Sequence, residues 1–425
     1  ERPVQLVDRV RAERVAHLRP VERDAGDAAR RVEVVRDVGE GVEALDGAPA
    51  LGVEQLGDVR GCGLGHAASL RAGARLGLRE RRGDRLCRMT TPATDALPEL
   101  DEVLSGSAVV SVPLTTRFRG VEHREAVLLR GPAGWSEFSP FPEYGDSEAA
   151  TWLAAAIDYG WRDAGGPELR SSIPVNATLP AVAPDRIEAV LARYDGCRTV
   201  KIKVAERGQT LAEDVERVRE TRRLIGAEGR IRLDANGAWN LDEAEHAVRA
   251  LEQFDLEYVE QPCASIDELA ELRRRIHRID VLVAADESVR KAADPLAVAR
   301  AGAADILVIK AAPLGGIDRA LAIVAEAGLP AVVSSALDTS VGLAMGAALA
   351  ARLPELEFDC GLGTGALLGD DVAVAPVVPV AGAIGTGRVS VDEDALRRLA
   401  APDERAQWWR DRLARCRALL GAARL

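Results

Sequence analysis

The chain has 425 residues, 47% of them hydrophobic but only 4% aromatic, so a substantial core must be assembled from Ala, Val, Leu and Ile. Its 55 basic residues face 67 acidic ones, a net charge of −12, which argues against nucleic acid or an anionic membrane as the main partner. No run approaches the roughly 18 apolar residues that a membrane helix needs. The six cysteines (62, 87, 197, 263, 360 and 416) lack CxxC or metal-type spacing, which suits a reducing cytoplasm better than a disulfide framework.

Residues 1–88 do not read as a folded domain. They contain no Phe, Trp, Tyr, Ile, Lys, Met, Asn or Thr, and carry 17 Arg against 15 Asp and Glu. A transit peptide is a poor match, because such peptides lack acidic residues. The first methionine is Met89. We therefore expect 1–88 to be translated upstream sequence or a disordered extension, with a helical accessory segment as the alternative, and the working protein to start near Met89.

From 105 to 168 the pattern is that of a small α+β unit. Ser107–Leu114 reads as a strand. Glu125–Arg130 and Gly134–Phe138 flank the turn Gly131-Pro-Ala, which predicts a hairpin. Ser147–Trp161 reads as a helix with Ser147 as its cap.

Between 170 and 375 the period changes. Eight short β-branched runs alternate with Arg/Glu/Ala/Leu-rich helical stretches every 25 to 31 residues: Ile173–Leu179, Thr199–Val204, Arg230–Asp234, Leu256–Glu260, Val281–Asp286, Ile306–Lys310, Ala331–Ser335 and Glu357–Cys360. Repeated strand–helix units imply a parallel sheet, and eight in succession point to a closed (β/α)8-type barrel. A doubly wound open sheet is the runner-up, but no Gly-rich nucleotide loop follows the first strand. Residues 391–425 are again helical, and the segment from about 380 to 425 is expected to complete the N-terminal α+β unit as a capping domain.

Barrel enzymes carry their chemistry at the C-terminal ends of strands. Those ends read Lys201-Ile-Lys203, Asp234, Glu260, Asp286, Lys310 and Ser334-Ser335. Three consecutive strands ending in a carboxylate form an all-oxygen donor set suited to a hard ion, Mg2+ or alternatively Mn2+. Only four of the 55 basic residues are lysine (201, 203, 291 and 310). A lysine kept in an otherwise arginine-writing chain invites a chemical explanation, since lysine can be tuned into a base and arginine cannot. Lys201 and Lys203 alternate by two and so share a face, where two ammonium groups are expected to lower each other's pKa. With Lys310 across the mouth, the layout suits abstraction of a proton α to a carboxylate. Lys291 lies past a strand end and reads as a solvated surface residue.

The set Lys201-Ile-Lys203, Asp234-Ala-Asn236, Glu260-Gln-Pro262, Asp286-Glu-Ser288 and Lys310 resembles the enolase superfamily in its muconate lactonizing enzyme subgroup. More narrowly, Arg117-Phe-Arg-Gly120, Gly134–Tyr144, Pro174–Thr178, Ser334–Ser340 and Cys360–Thr364 resemble the o-succinylbenzoate synthases of actinobacterial type. The resemblance covers about 105–425. It implies a (β/α)7β-type modified TIM barrel with an α+β capping domain, and a lyase of menaquinone biosynthesis. Such an enzyme dehydrates 2-succinyl-6-hydroxy-2,4-cyclohexadiene-1-carboxylate (SHCHC), a small-molecule carboxylate, to o-succinylbenzoate.

Carried over by position, the resemblance makes Asp234, Glu260 and Asp286 the metal ligands. It makes Lys203 the acid/base and Lys310 the cation that stabilises the enediolate. Lys201, Ser334, Ser335, Gly361 and Arg119 are expected to contact the substrate. Arg117 and Arg119 with the Phe138–Tyr144 loop are expected to close over it, and Asn236 and Asn176 to support the site. The five histidines (17, 66, 123, 246 and 277) sit at no strand end, so a histidine base is not expected.

An N-succinylamino-acid racemase or dipeptide epimerase would use the same lysines and metal. The single acid in Asp359-Cys-Gly361 weakens the epimerase reading, since such epimerases carry paired aspartates there. An inactive binding or scaffold barrel would betray itself by a missing ligand or lysine, and none is missing.

Overall fold

The computed structural model describes residues 97–162, 166–291 and 293–422; the expectations for 1–88 lie outside them. A short helix α1 (Leu100–Ser105) leads into a three-stranded antiparallel sheet of β1 (Ser107–Phe118), β2 (Val121–Gly131) and β3 (Gly134–Phe138). The predicted hairpin is present, with Gly131 paired to Gly134 across its turn. Helix α2 (Asp146–Trp161) packs on this sheet.

Ser147 is not its cap. The N-cap is Gly145, with no side-chain cap hydrogen bond. Asp146 and Glu148 in the first turn supply the negative charge that a helix N-terminus favours.

The second layer is a seven-stranded sheet in the order β11-β10-β9-β8-β7-β6-β5, parallel throughout. Its strands are β5 (Ala177–Leu179), β6 (Thr199–Lys203), β7 (Arg230–Asp234), β8 (Leu256–Glu260), β9 (Leu282–Ala285), β10 (Ile306–Ile309) and β11 (Ala331–Val333). Two of the expected strands differ. The first splits: β4 (Ser172–Pro174) pairs antiparallel with β12 (Ala383–Gly385), and only β5 enters the barrel. The eighth shrinks to Cys360 and Gly361, which pair in parallel with Val175 and Ser334 and so bridge the sheet's two edges. The chain leaves that ladder at once, into the 3-10 turn Gly363–Leu367. The result is a (β/α)7β-type barrel.

The outer helices are α3 (Ile187–Leu191), α4 (Leu211–Ile225), α5 (Leu241–Leu251), α6 (Ile266–Arg275), α7 (Glu287–Arg290), α8 (Ala297–Arg300), α9 (Ala311–Leu314), α10 (Ile317–Ala327) and α11 (Ser340–Arg352). Each of α4, α5 and α6 starts with a reciprocal capping box: Thr210 with Glu213, Asn240 with Glu243, and Ser265 with Glu268. Each such N-cap is worth about 1 kcal/mol. Helix α11 is buried from Ser340 to Ala351, which its Ala, Gly and Leu content permits.

The C-terminal helices α12 (Glu393–Arg398) and α13 (Asp403–Ala422) return to the N-terminal sheet. Trp409 meets the Phe138 ring edge-on at 6.0 Å, and Arg405 grips both oxygens of Glu125 at 2.6–2.8 Å. The same sheet holds the loop after β11. Arg124 Nε donates to the Leu337 carbonyl at 3.0 Å, while the buried Glu137 carboxylate accepts from the Thr339 and Gly342 amides at 3.1 and 3.0 Å. Among the described residues, no helix is long and apolar enough to cross a membrane.

Candidate active site

In-register parallel pairing sets the site. Lys203 pairs with Asp234, and Asp234 with Glu260, so one row of polar side chains crosses the ends of β6, β7 and β8. Asp286 follows β9 directly, and Lys310 follows β10. Lys201, Lys203, Asp234, Glu260, Asp286 and Lys310 are all buried. Burial of charge on this scale is tolerated only with partners. Lys203 Nζ donates to Asp234 Oδ2 at 2.6 Å, and Lys201 Nζ to both Glu260 oxygens at 3.0 and 2.9 Å. Lys310 Nζ donates to Asp286 Oδ2 at 2.5 Å.

The turns behind these residues are built for them. Asn236 (φ +49°) and Gly237 (φ +74°) lie in the left-handed region, which Asn and Gly tolerate best. This bends the chain so that the Asn236 side-chain oxygen accepts from Lys203 Nζ at 2.5 Å. Gln261 ties the ends of β8 and β9 together. Its Oε1 accepts from the Asp286 and Ser288 amides at 3.0 and 3.1 Å, and its Nε2 donates to Ser288 Oγ at 2.7 Å. The motifs Glu260-Gln-Pro and Asp286-Glu-Ser are thus two halves of one hydrogen-bonded clamp.

The electrostatics correct one expectation. The expected depression is not found at Lys201. Burial alone would lower the Lys201 ammonium, but the Glu260 and Asp234 carboxylates outweigh it and hold it well above the ordinary lysine value. Lys310 is shifted down: burial lowers it, the adjoining Asp286 opposes, and the Arg290 charge adds to the lowering. Burial works against ionised Asp234 and Asp286. Even so, the ammoniums of Lys203 and Lys201 keep the first well below the carboxylate range, and Arg290 with Lys310 the second.

Glu260 goes the other way, pushed up to about 7 by burial, with the charges of Asp234 and Asp286 adding to it against Lys201. Among the described residues, no three acidic, His or Cys side chains are drawn together as a closed metal cage. Lys201 sits between Asp234 and Glu260, 3.1 Å from Asp234 Oδ2. Asp234 and Asp286 raise the proton affinity of Glu260, and the repulsion within such an oxygen donor set is what a hard divalent cation relieves. The residues present therefore fit such an ion.

A narrow chamber of about 30 Å3 lies against Asp234 and Asp286. Lys201, Lys203, Asp234, Asp286 and Lys310 line it, as do the expected Ser334, Ser335, Gly361 and Arg119. Gly361 is closely packed there: a Cβ would stand 2.5 Å from Ser334 Oγ, so Ser334 would have to move. Beside Lys203 the chamber meets a cleft of about 530 Å3, where Arg117 lies. Asn176 is not at the chamber; its side-chain oxygen accepts from the buried Arg232 at 3.0 Å, deeper in the barrel. In the Phe138–Tyr144 loop, Phe138, Phe141 and Tyr144 are buried. Arg119 stacks on Phe141 of this loop, 4.4 Å from the ring centre.

Sequence reasoning missed Phe118, whose ring lies 5.5 Å from Lys203 Nζ, and also Leu337 and Thr364 in the chamber wall. Phe118 sits inside the Arg117-Phe-Arg motif, so its position was visible while its role was not. Lys291 is exposed, as expected, with its ammonium 4.6 Å from the Tyr144 ring centre.

Comparison with known proteins adds to this geometry. Residues 185–389 match the model for enolase C-terminal domain-like proteins, and residues 109–160 that for enolase N-terminal domain-like proteins. The o-succinylbenzoate synthase of Mycolicibacterium smegmatis is 52% identical over 328 residues, covering 77% of this chain and 100% of that protein. The o-succinylbenzoate synthase of Mycobacterium marinum is 52% identical over 330 residues, covering 77% and 98%. Among solved structures, muconate lactonizing enzyme from Pseudomonas fluorescens, complexed with muconolactone, aligns with a TM-score of 0.61 at 21% identity, covering 69% of this chain and 98% of that one. A mandelate racemase/muconate lactonizing family protein from Azoarcus sp. EbN1 aligns with a TM-score of 0.57 at 22% identity, covering 70% and 96%. These two likenesses concern the fold.

Proposed function

Because the chain belongs to the o-succinylbenzoate synthase family of enolase-like proteins, we propose that it dehydrates SHCHC to o-succinylbenzoate, as a cytoplasmic step of menaquinone biosynthesis. The observation that carries this reading is the buried row of Lys203, Asp234 and Glu260 in register, with Lys203, Asp234, Asp286 and Lys310 lining one chamber. Residues 105–168, completed by about 380–425, act as a cap over the 170–375 barrel. The four described cysteines are free thiols, which supports a reducing compartment.

Asp234, Glu260 and Asp286 are assigned as ligands of Mg2+ (or Mn2+). When bound, the ion supplies positive charge opposite the substrate carboxylate, where negative charge develops. Lys203, as the free amine, takes the proton α to that carboxylate, and the C–H electron pair enters the enediolate. Asn236 holds the Lys203 nitrogen while this happens. The same lysine, now an ammonium, returns the proton to the departing hydroxyl, which leaves as water while the ring becomes aromatic. Lys310 stays protonated beside Asp286 and stabilises the enediolate as a cation. Ser334, Ser335, Gly361 and Arg119 shape the space for the succinyl arm, and Lys201 braces Glu260 and Asp234.

The test is turnover of SHCHC with Mg2+, beside an N-succinylamino acid, with Lys203→Ala as control. Loss of SHCHC that disappears in the variant and on chelation supports the synthase and its base. Exchange of the α-proton on the succinylamino acid without dehydration moves the assignment to a racemase, and silence on both overturns the substrate.

A further inference from the structure

Arg290, at the end of α7, links three separate parts of the site and none of the roles above uses it. Its side chain is 2% exposed, and its three nitrogens have three different partners. Nε donates to Asp286 Oδ1 at 3.0 Å, Nη2 to Glu287 Oε1 at 2.5 Å, and Nη1 to the Tyr144 hydroxyl at 3.2 Å. Each partner leads onward. Asp286 Oδ2 accepts from Lys310. Glu287 Oε1 also accepts from Asn236 Nδ2 at 3.3 Å, and Asn236 in turn holds Lys203. The Tyr144 hydroxyl accepts from Arg119 Nη2 at 3.5 Å.

Tyr144 is itself fixed from the cap. Its ring packs on Phe141 and Trp152 at 5.7 and 6.1 Å, and Arg412 of α13 donates to its carbonyl. A planar guanidinium is suited to this work, because it presents donors in a fixed fork and keeps its charge. A lysine at 290 would offer one mobile nitrogen in place of three fixed ones.

We propose that Arg290 is a positioning residue that locks three things into one unit: Lys310 through Asp286, Lys203 through Glu287 and Asn236, and the Arg119 turn of the cap through the Tyr144 hydroxyl. The turn that shapes the substrate space and the lysines that move the proton then share one pose. The proposal rests on the reading that Lys203 and Lys310 carry the chemistry, but its coupling is a property of the free protein.

The experiment is a double-mutant cycle with Arg290→Met and Tyr144→Phe, read two ways in the full chain. In SHCHC turnover, Arg290→Met lowers kcat by roughly 10- to 100-fold with KM within about twofold, and Tyr144→Phe by a smaller factor. The double variant falls no further than Arg290→Met alone, and added methylguanidinium restores part of the lost kcat. In hydrogen exchange without substrate, both single variants speed exchange at amides 116–121, and the double variant adds nothing.

Losses in kcat that multiply, or exchange at 116–121 unmoved by both variants, overturn the proposal. So does a fall in Tm with kcat intact. Tyr144→Phe removes one oxygen from a packed ring and keeps the test open if Arg290→Met folds poorly. An inactive wild type with coupled exchange overturns the reaction and supports the lock.

Discussion

Lys203 and Asn236 meet at 2.5 Å, ammonium to side-chain amide oxygen, and Asn236 reaches that position only because its backbone is left-handed, at φ +49°. The contact fixes where the nitrogen of the proposed base points, without adding a second negative charge that would hold its proton. Asn236→Gly keeps the turn and removes the oxygen, and is expected to lower kcat by about 10- to 100-fold. Asn236→Ala should lose as much activity and, in addition, about 1 kcal/mol of stability from the strained φ. Steady-state kinetics with urea unfolding of both variants checks the pair; unchanged kcat in Asn236→Gly removes the orienting role.

Gly361 bridges the barrel's edge strands and leaves no room for a methyl group, since a Cβ would lie 2.5 Å from Ser334 Oγ. Gly361→Ala is expected to cost roughly 1–3 kcal/mol through overpacking and to raise KM by displacing Ser334 at the chamber wall. Gly361→Ala combined with Ser334→Gly should recover part of the stability. Denaturation midpoints of the two variants decide it.

Glu137 gives a pH signature away from the catalytic ring. Burial, with the Asp338 charge adding, pushes its carboxyl up to about 7 against the pull of Arg124. A carboxyl raised on folding binds more protons in the native than in the unfolded chain between its ordinary value and 7. Stability from this group is therefore full at low pH and is lost as pH rises through that window. Glu137→Gln should flatten the slope of unfolding free energy between about pH 4.5 and 7 by up to one proton, roughly 1.4 kcal/mol per pH unit. Urea titrations at several pH values measure it, and an unchanged slope refutes the raised carboxyl.

The assigned ligand set predicts linkage to Mg2+. An ion that binds only the folded chain stabilises it by about 2.7 kcal/mol at a hundredfold excess over Kd. The rise in Tm with Mg2+ should vanish in Asp234→Asn, Glu260→Gln and Asp286→Asn, and persist in Lys310→Met. Thermal unfolding against Mg2+ concentration tests this without substrate. A rise retained in all three carboxylate variants would place the ion elsewhere.

Much of the site was legible in the chain itself. The 25-to-31-residue repeat of β-branched runs fixed the strand order, and the order put Lys201, Lys203, Asp234, Glu260, Asp286 and Lys310 at successive strand ends, where the structure has them. That inference works because a parallel sheet maps sequence order onto spatial order. The eighth strand was overread because an extended apolar run says nothing about how long a ladder lasts; the two bridges at Cys360 and Gly361 depend on where the sheet's edges meet.

The sequence by itself determined the donor types, the face they share and the scarcity of lysine that marked them. Only the tertiary structure decided who pairs with whom. Lys201 lies between Glu260 and Asp234 and is raised rather than lowered, because partner distance across strands, not spacing along one, sets the field at an ammonium. Arg290 looked like an ordinary polar residue in the chain, and Tyr144 and Gln261 stood in recognised motifs without a contact to explain them. Their roles arise from hydrogen bonds between segments as far as 146 positions apart, which local pattern does not encode and folding alone brings within 3.2 Å.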